Sequence, residues 1–94
     1  MNILFYHPSK SDAESYKIPL RGHNLFTASG DLFLLNKNYD QYQNIDILFL
    51  TDLEQTDEDI FQVSYILEKN PNVSIVIVLK NPNPDFLIRL MRIG

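Results

Sequence analysis

Three short apolar runs, separated by stretches of helical period, organise this chain. They are Asn2–Tyr6 (NILFY), Ile45–Leu50 (IDILFL) and Val73–Leu79 (VSIVIVL). Each is rich in Ile, Val, Leu and Phe and shows no clean alternation with polar residues. Strands covered on both faces, as in a parallel sheet, have this composition. A weaker fourth run, Asn24–Ala28 (NLFTA), follows Gly22.

Between these runs the period changes to that of a helix. Thr56-Asp-Glu-Asp59 has the form of a capping box, in which the threonine hydroxyl accepts from the third backbone N–H and Asp59 reaches back. Three acids in that first turn suit the positive end of the helix dipole. Ile60, Val63, Ser64 and Leu67 then fall on one face, and Asn70-Pro71 ends the helix. The last helix is expected after Asn81-Pro-Asn-Pro84, with Asn83 as N-cap and Pro84 at the first helical position. Phe86, Leu87, Leu90 and Met91 form its apolar stripe, Arg89 and Arg92 its wet side, and Gly94 stands where a C-terminal glycine belongs. Two earlier helices are expected at Ser11–Lys17, cut short by Pro19, and at Asp31–Tyr42, capped by Ser29 with Leu32, Leu35 and Tyr39 on one side.

The order is therefore β-α-β-α-β-α-β-α. It predicts an α/β fold: a parallel sheet with right-handed crossovers between two helical layers. The chain has 94 residues, so one domain, 1–94, is expected, with no linker or repeat. Apolar residues make up 45% and aromatics 12%, which fits a packed core rather than a disordered tail.

The formal net charge is -4, and the eight basic residues are spread without a cluster, so no nucleic-acid partner is expected. There is no cysteine, hence no disulfide, thiolate or zinc-finger chemistry. No apolar run approaches the length of a bilayer span, and MNILFYHP lacks the basic start of a secretory leader. The expected location is the cytoplasm, with no insertion into a membrane.

Asp46-Ile-Leu-Phe-Leu-Thr51 resembles the third strand of bacterial response-regulator receiver (CheY-like) domains, which runs from one aspartate to another across four apolar residues. Gly22-His-Asn-Leu-Phe-Thr-Ala28 resembles their glycine-led second strand and Ser74–Leu79 their fourth. His7 and Thr51 stand 44 positions apart, the family's interval from acid pair to phospho-acceptor. The resemblance spans the chain. It implies a flavodoxin-like three-layer sandwich with strand order 2-1-3-4, truncated so that the fifth strand and its helix are missing.

The resemblance also defines what is missing. The family's magnesium-holding acid pair falls on His7 and Pro8, its phospho-accepting aspartate on Thr51, and its hydroxyl position near Leu79 and Lys80. A hard divalent cation needs carboxylates, and phosphoryl transfer needs its charge neutralised. No cofactor and no metal are expected, and no enzyme activity. Asp52 is one step past Thr51. Were the strand to run through it, its carboxylate would point away from the old pocket.

Pro84-Asp-Phe-Leu-Ile-Arg-Leu-Met-Arg-Ile-Gly94 is similar to a segment of the degenerate N-terminal receiver in CpaE/TadZ pilus-assembly proteins. That likeness implies a pseudo-receiver for protein–protein interaction, dimerisation or polar localisation, with Arg89, Met91 and Arg92 at an interface. Val73–Leu79 would be an apolar sheet edge open to a protein partner or a second copy.

The alternative is an atypical receiver in two-component signalling, phosphorylated on Asp52 or working without phosphorylation, upstream of a DNA-binding domain. A nucleotide-binding enzyme fits less well, because HPSKSDA after the first strand has no glycine for close approach to phosphate. His7 reads as a loop histidine before a proline, with anion binding or pH sensing as the alternative. The acids Asp52, Glu54, Asp57, Glu58 and Asp59 read as a capped helix start rather than a cation site. Lys80 is expected to pair with a nearby acid.

Overall fold

A computed structural model of the protein describes residues 1–15, 22–42 and 44–93. The elements are β1 (Asn2–Tyr6), α1 (Lys10–Ser15), β2 (Asn24–Ala28), α2 (Leu32–Lys37), a 3-10 turn (Tyr39–Gln41), β3 (Ile47–Thr51), α3 (Asp57–Lys69), β4 (Ser74–Val78) and α4 (Pro84–Ile93). The four strands form one parallel sheet in the order β2-β1-β3-β4. This is the parallel α/β sheet that the alternating pattern predicts, in the flavodoxin-like strand order that the receiver resemblance implies. The expectations about Lys17, Pro19 and Gly94 lie outside the described residues.

The register fixes two unlike faces. Leu4 pairs with Phe26 and Leu48, and Tyr6 with Ala28 and Leu50; Leu48 and Leu50 then meet Ile75 and Ile77. Neighbours in register share a face. This face packs against Leu32 and Leu35 of α2, Ile60, Val63 and Ile66 of α3, and Phe86 of α4. Leu4, Leu48, Leu50 and Ile66 are fully buried, each stabilising the fold by about 1.5–3 kcal/mol relative to exposure.

The opposite face carries Phe5 stacked on Phe49, with ring centroids 4.6 Å apart. Beside them on β4, Val76 and Val78 are 41% and 50% exposed. β4 is therefore not covered on both faces, contrary to what its unbroken apolar sequence predicts. Among the described residues it is one edge of the sheet, β2 being the other, and the helices that follow β2, β3 and β4 all join the core on the opposite side.

Local signals account for the helix starts. At α3 the capping box forms as expected, with Asp59 N–H donating to the Thr56 hydroxyl and Thr56 N–H to the Asp59 carboxylate. Asn83 caps α4, accepting from Asp85 N–H at 2.9 Å. The cap of α2 is Asp31, not Ser29: its carboxylate accepts from Leu34 N–H at 2.8 Å. Gly30, at φ +94, turns the chain after Ser29 and moves the helix start along.

The buried faces also differ from expectation. In α3 they hold Ile60, Gln62, Val63 and Ile66, and Ser64 is only half-buried. In α4, Phe86 is buried with Leu90 and Ile93 beside it, leaving Leu87 and Met91 exposed. One-residue rotations of this kind follow from which neighbour a helix meets, which its period does not specify.

Candidate functional site

The carboxyl ends of parallel strands open into a crevice where this architecture binds its ligands. Here β1 delivers His7 and Pro8, and β3 delivers Thr51 and Asp52. Thr51 is buried, and its hydroxyl donates to the Tyr6 carbonyl at 2.8 Å. That hydroxyl ties two neighbouring strands together and is withdrawn from solvent.

Asp52 departs from expectation. β3 stops at Thr51, and Asp52 has φ +55, the left-handed conformation that aspartate tolerates better than most residues. Strand alternation no longer applies. The half-exposed carboxylate swings back toward the crevice, and its oxygen lies 3.7 Å from His7 Nε2.

His7 is 7% exposed. Its Nδ1 accepts from Ser9 N–H at 2.9 Å, so in the neutral ring the hydrogen sits on Nε2. That N–H points between two carboxylates, Asp52 and, at 3.8 Å, Asp12 of α1. An anion would meet the same two acids, so this arrangement opposes anion binding. It also opposes a metal on Nε2, which would need the hydrogen moved to Nδ1, against the Ser9 donor. Among the described residues no three His, Asp or Glu side chains come together as a ligand set. Pro8 contributes only its carbonyl, which accepts from Gly30 N–H at 3.2 Å.

Tyr6 is a member of the site that sequence reasoning missed, because it reads as one more residue of an apolar strand. Its hydroxyl donates to the Gly30 carbonyl, at the inner wall of a cleft of about 550 Å³ between α2 and α3. Burial pushes the phenol up to about 12, with the negative charges of Asp59, Asp31 and Glu54 adding to the shift. A buried tyrosine needs an acceptor for its hydroxyl, and that need is the signal available in the sequence.

The acidic start of α3 acts through local bonds. Asp59 serves in the cap, Glu58 accepts from Gln62 Nε2 at 2.7 Å, and Asp57 pairs with Arg89 of α4. Gln55, at φ +64, donates to the Asn81 carbonyl at 2.9 Å and accepts from Asn83 N–H at 2.6 Å, joining the loops after β3 and β4. Lys80 is exposed and forms no ion pair with a described acid, contrary to expectation. On α4, Arg92 is exposed and Met91 is 80% exposed.

A response regulator from Thermotoga maritima superposes on 99% of this chain and 77% of its own, with TM-score 0.76 and 17% identity. The fold is that of a receiver domain. The isolated receiver domain of RcsB from Salmonella enterica serovar Typhimurium, solved with phosphomimetic BeF3-, gives TM-score 0.71 at 18% identity, over 99% of this chain and 71% of that one. The signal receiver domain of a modulated diguanylate cyclase from Desulfovibrio desulfuricans, described as an example of alternate folding, gives 0.73 at 12%, over 98% and 74%. No protein-family model and no curated protein sequence matches the chain. Among the described residues no helix is long and apolar enough to cross a membrane.

Proposed function

We propose that this receiver fold is a non-catalytic pseudo-receiver acting through protein–protein contacts. The observation that carries the reading is the state of Thr51: the phospho-acceptor position holds a buried hydroxyl already bonded to the Tyr6 carbonyl. The acid-pair position supports it, because Pro8 has no ligand and His7 presents an N–H to the carboxylates of Asp12 and Asp52. A hard cation would find a competing donor where it needs oxygen.

Interaction surfaces remain. Leu87, Ile88 and Met91 on α4 are exposed beside Arg89 and Arg92. The edge of β4, with Val76 and Val78, offers unpaired backbone groups and an apolar flank to a strand from a protein partner or a second copy. The last helix resembles the CpaE/TadZ segment, and that resemblance favours a module at the head of a pilus-assembly protein of that kind, in the cytoplasm. A Walker-type glycine loop in the coding sequence beyond Gly94 is expected. A helix-turn-helix there would contradict this placement.

A second reading has one observation in its favour. The left-handed turn at Asp52 leaves its carboxylate half-exposed at the crevice, so a receiver phosphorylated on Asp52 is the competing function. Incubation with acetyl phosphate and magnesium, followed by intact-mass measurement, separates the two. The pseudo-receiver gains no phosphoryl mass. A gain that disappears in Asp52→Asn would replace it with the second reading.

A further inference from the structure

A different surface, formed by α2 and α3, points to a partner of its own. Phe33 on α2 and Phe61 and Tyr65 on α3 are 57%, 62% and 41% exposed. They line a shared groove of about 390 Å³ whose floor holds the Asn36–Gln62 side-chain contact. Three large aromatics on one outward face exceed the scattered exposure expected of a monomer.

The charges around them are ordered. Along α3 the residues Glu58, Phe61, Tyr65 and Lys69 form one stripe, spaced three, four and four positions apart. It begins acidic, is aromatic in the middle and ends basic, with the Lys69 ammonium 5.7 Å from the Tyr65 ring centroid. α2 repeats the order: Asp31 at its N-cap, Phe33 next and Lys37 in its last turn. Both helices follow parallel strands on the same side of the sheet, so their acidic starts lie at one end of the groove and their basic ends at the other.

We propose that this face binds a second copy of the chain, with the two α3 helices antiparallel about a two-fold axis near Phe61 and Tyr65. An isologous contact sets the same patch against itself. Antiparallel placement lays Glu58 and Asp31 of each copy toward Lys69 and Lys37 of the other, and Phe61 against Tyr65. A parallel placement would oppose like charges, which is costly. From Glu58 to Lys69 the stripe is about 16 Å long at 1.5 Å per residue, roughly two Debye lengths at physiological salt. The two ends therefore act separately, and register is set by both.

This face lies away from the β4 edge and from the exposed side of α4, and a dimer through it does not depend on the pocket chemistry. Sedimentation equilibrium over a wide concentration range tests it. The wild-type chain is expected to dimerise, more weakly as salt rises. Phe61→Glu should weaken the dimer by roughly tenfold or more while leaving the thermal melt in place, since the side chain is exposed. Lys69→Glu should weaken it as well, and adding Glu58→Lys to Lys69→Glu should restore it. A chain monomeric at every concentration would overturn the proposal. So would a dimer insensitive to Phe61→Glu, one abolished by Val78→Lys instead, or a double exchange that fails to restore association.

Discussion

Placing an aspartate at position 51 tests the central reading most directly. In Thr51→Asp the donor to the Tyr6 carbonyl, now 2.8 Å away, is replaced by a carboxylate facing that same carbonyl. Loss of the hydrogen bond costs about 1 kcal/mol. The site is 7% exposed, so burial raises the introduced carboxyl's pKa; a rise of about one to two units corresponds to roughly 1.4–2.8 kcal/mol. The expected destabilisation at neutral pH is thus about 2–4 kcal/mol, against about 1 kcal/mol for Thr51→Val.

The sign of the pH dependence follows. A carboxyl with a raised folded-state pKa is bound to its proton more tightly in the native protein. The deficit is then full above the folded pKa and shrinks as pH falls toward the unfolded value of about 3.9. The protonated acid can also donate to the Tyr6 carbonyl. Urea melts of wild type, Thr51→Asp and Thr51→Val at pH 7 and pH 4 should show the two variants converging at the lower pH. A Thr51→Asp protein as stable as wild type at pH 7, or one that takes phosphate from acetyl phosphate with magnesium, would refute the account of a pocket rebuilt around the hydroxyl.

Three further outcomes are expected. Leu50→Ala, at a fully buried position on the packed face of the sheet, should cost about 3–5 kcal/mol in urea unfolding. Thr56→Ala removes the acceptor for Asp59 N–H and should cost about 1 kcal/mol by the same measurement. In alkaline titration Tyr6 should ionise near 12; because its folded-state value is raised, stability should fall as pH climbs from about 10 through that range, and Tyr6→Phe should flatten the decline.

Much of this fold is legible in the chain because its signals are local. NILFY becomes a strand whole, the strands β3 and β4 lie largely within IDILFL and VSIVIVL, and the capping box fixes the start of α3 to the residue. What is not legible depends on a turn or on a neighbour. The rule that successive strand residues face opposite ways fails at Asp52 because the backbone leaves the extended region there, with no glycine to mark it. His7 is identified by position, but its environment is assembled from Asp12 and Asp52, both later in the sequence and far apart from each other in it. The exposure of Val76 and Val78 follows from their place at an edge of the sheet, which the receiver resemblance implies but the apolar run alone does not declare.

The two hydrogen bonds of Gln55, to Asn81 and from Asn83, have a mechanical consequence. One amide gives a hydrogen and receives another, so the approach to α3 and the entry to α4 behave as a single stiff piece. Asp57 and Arg89 add a second rivet between the same two helices. These links connect the start of α3 to α4, the helix that carries the exposed Ile88 and Met91.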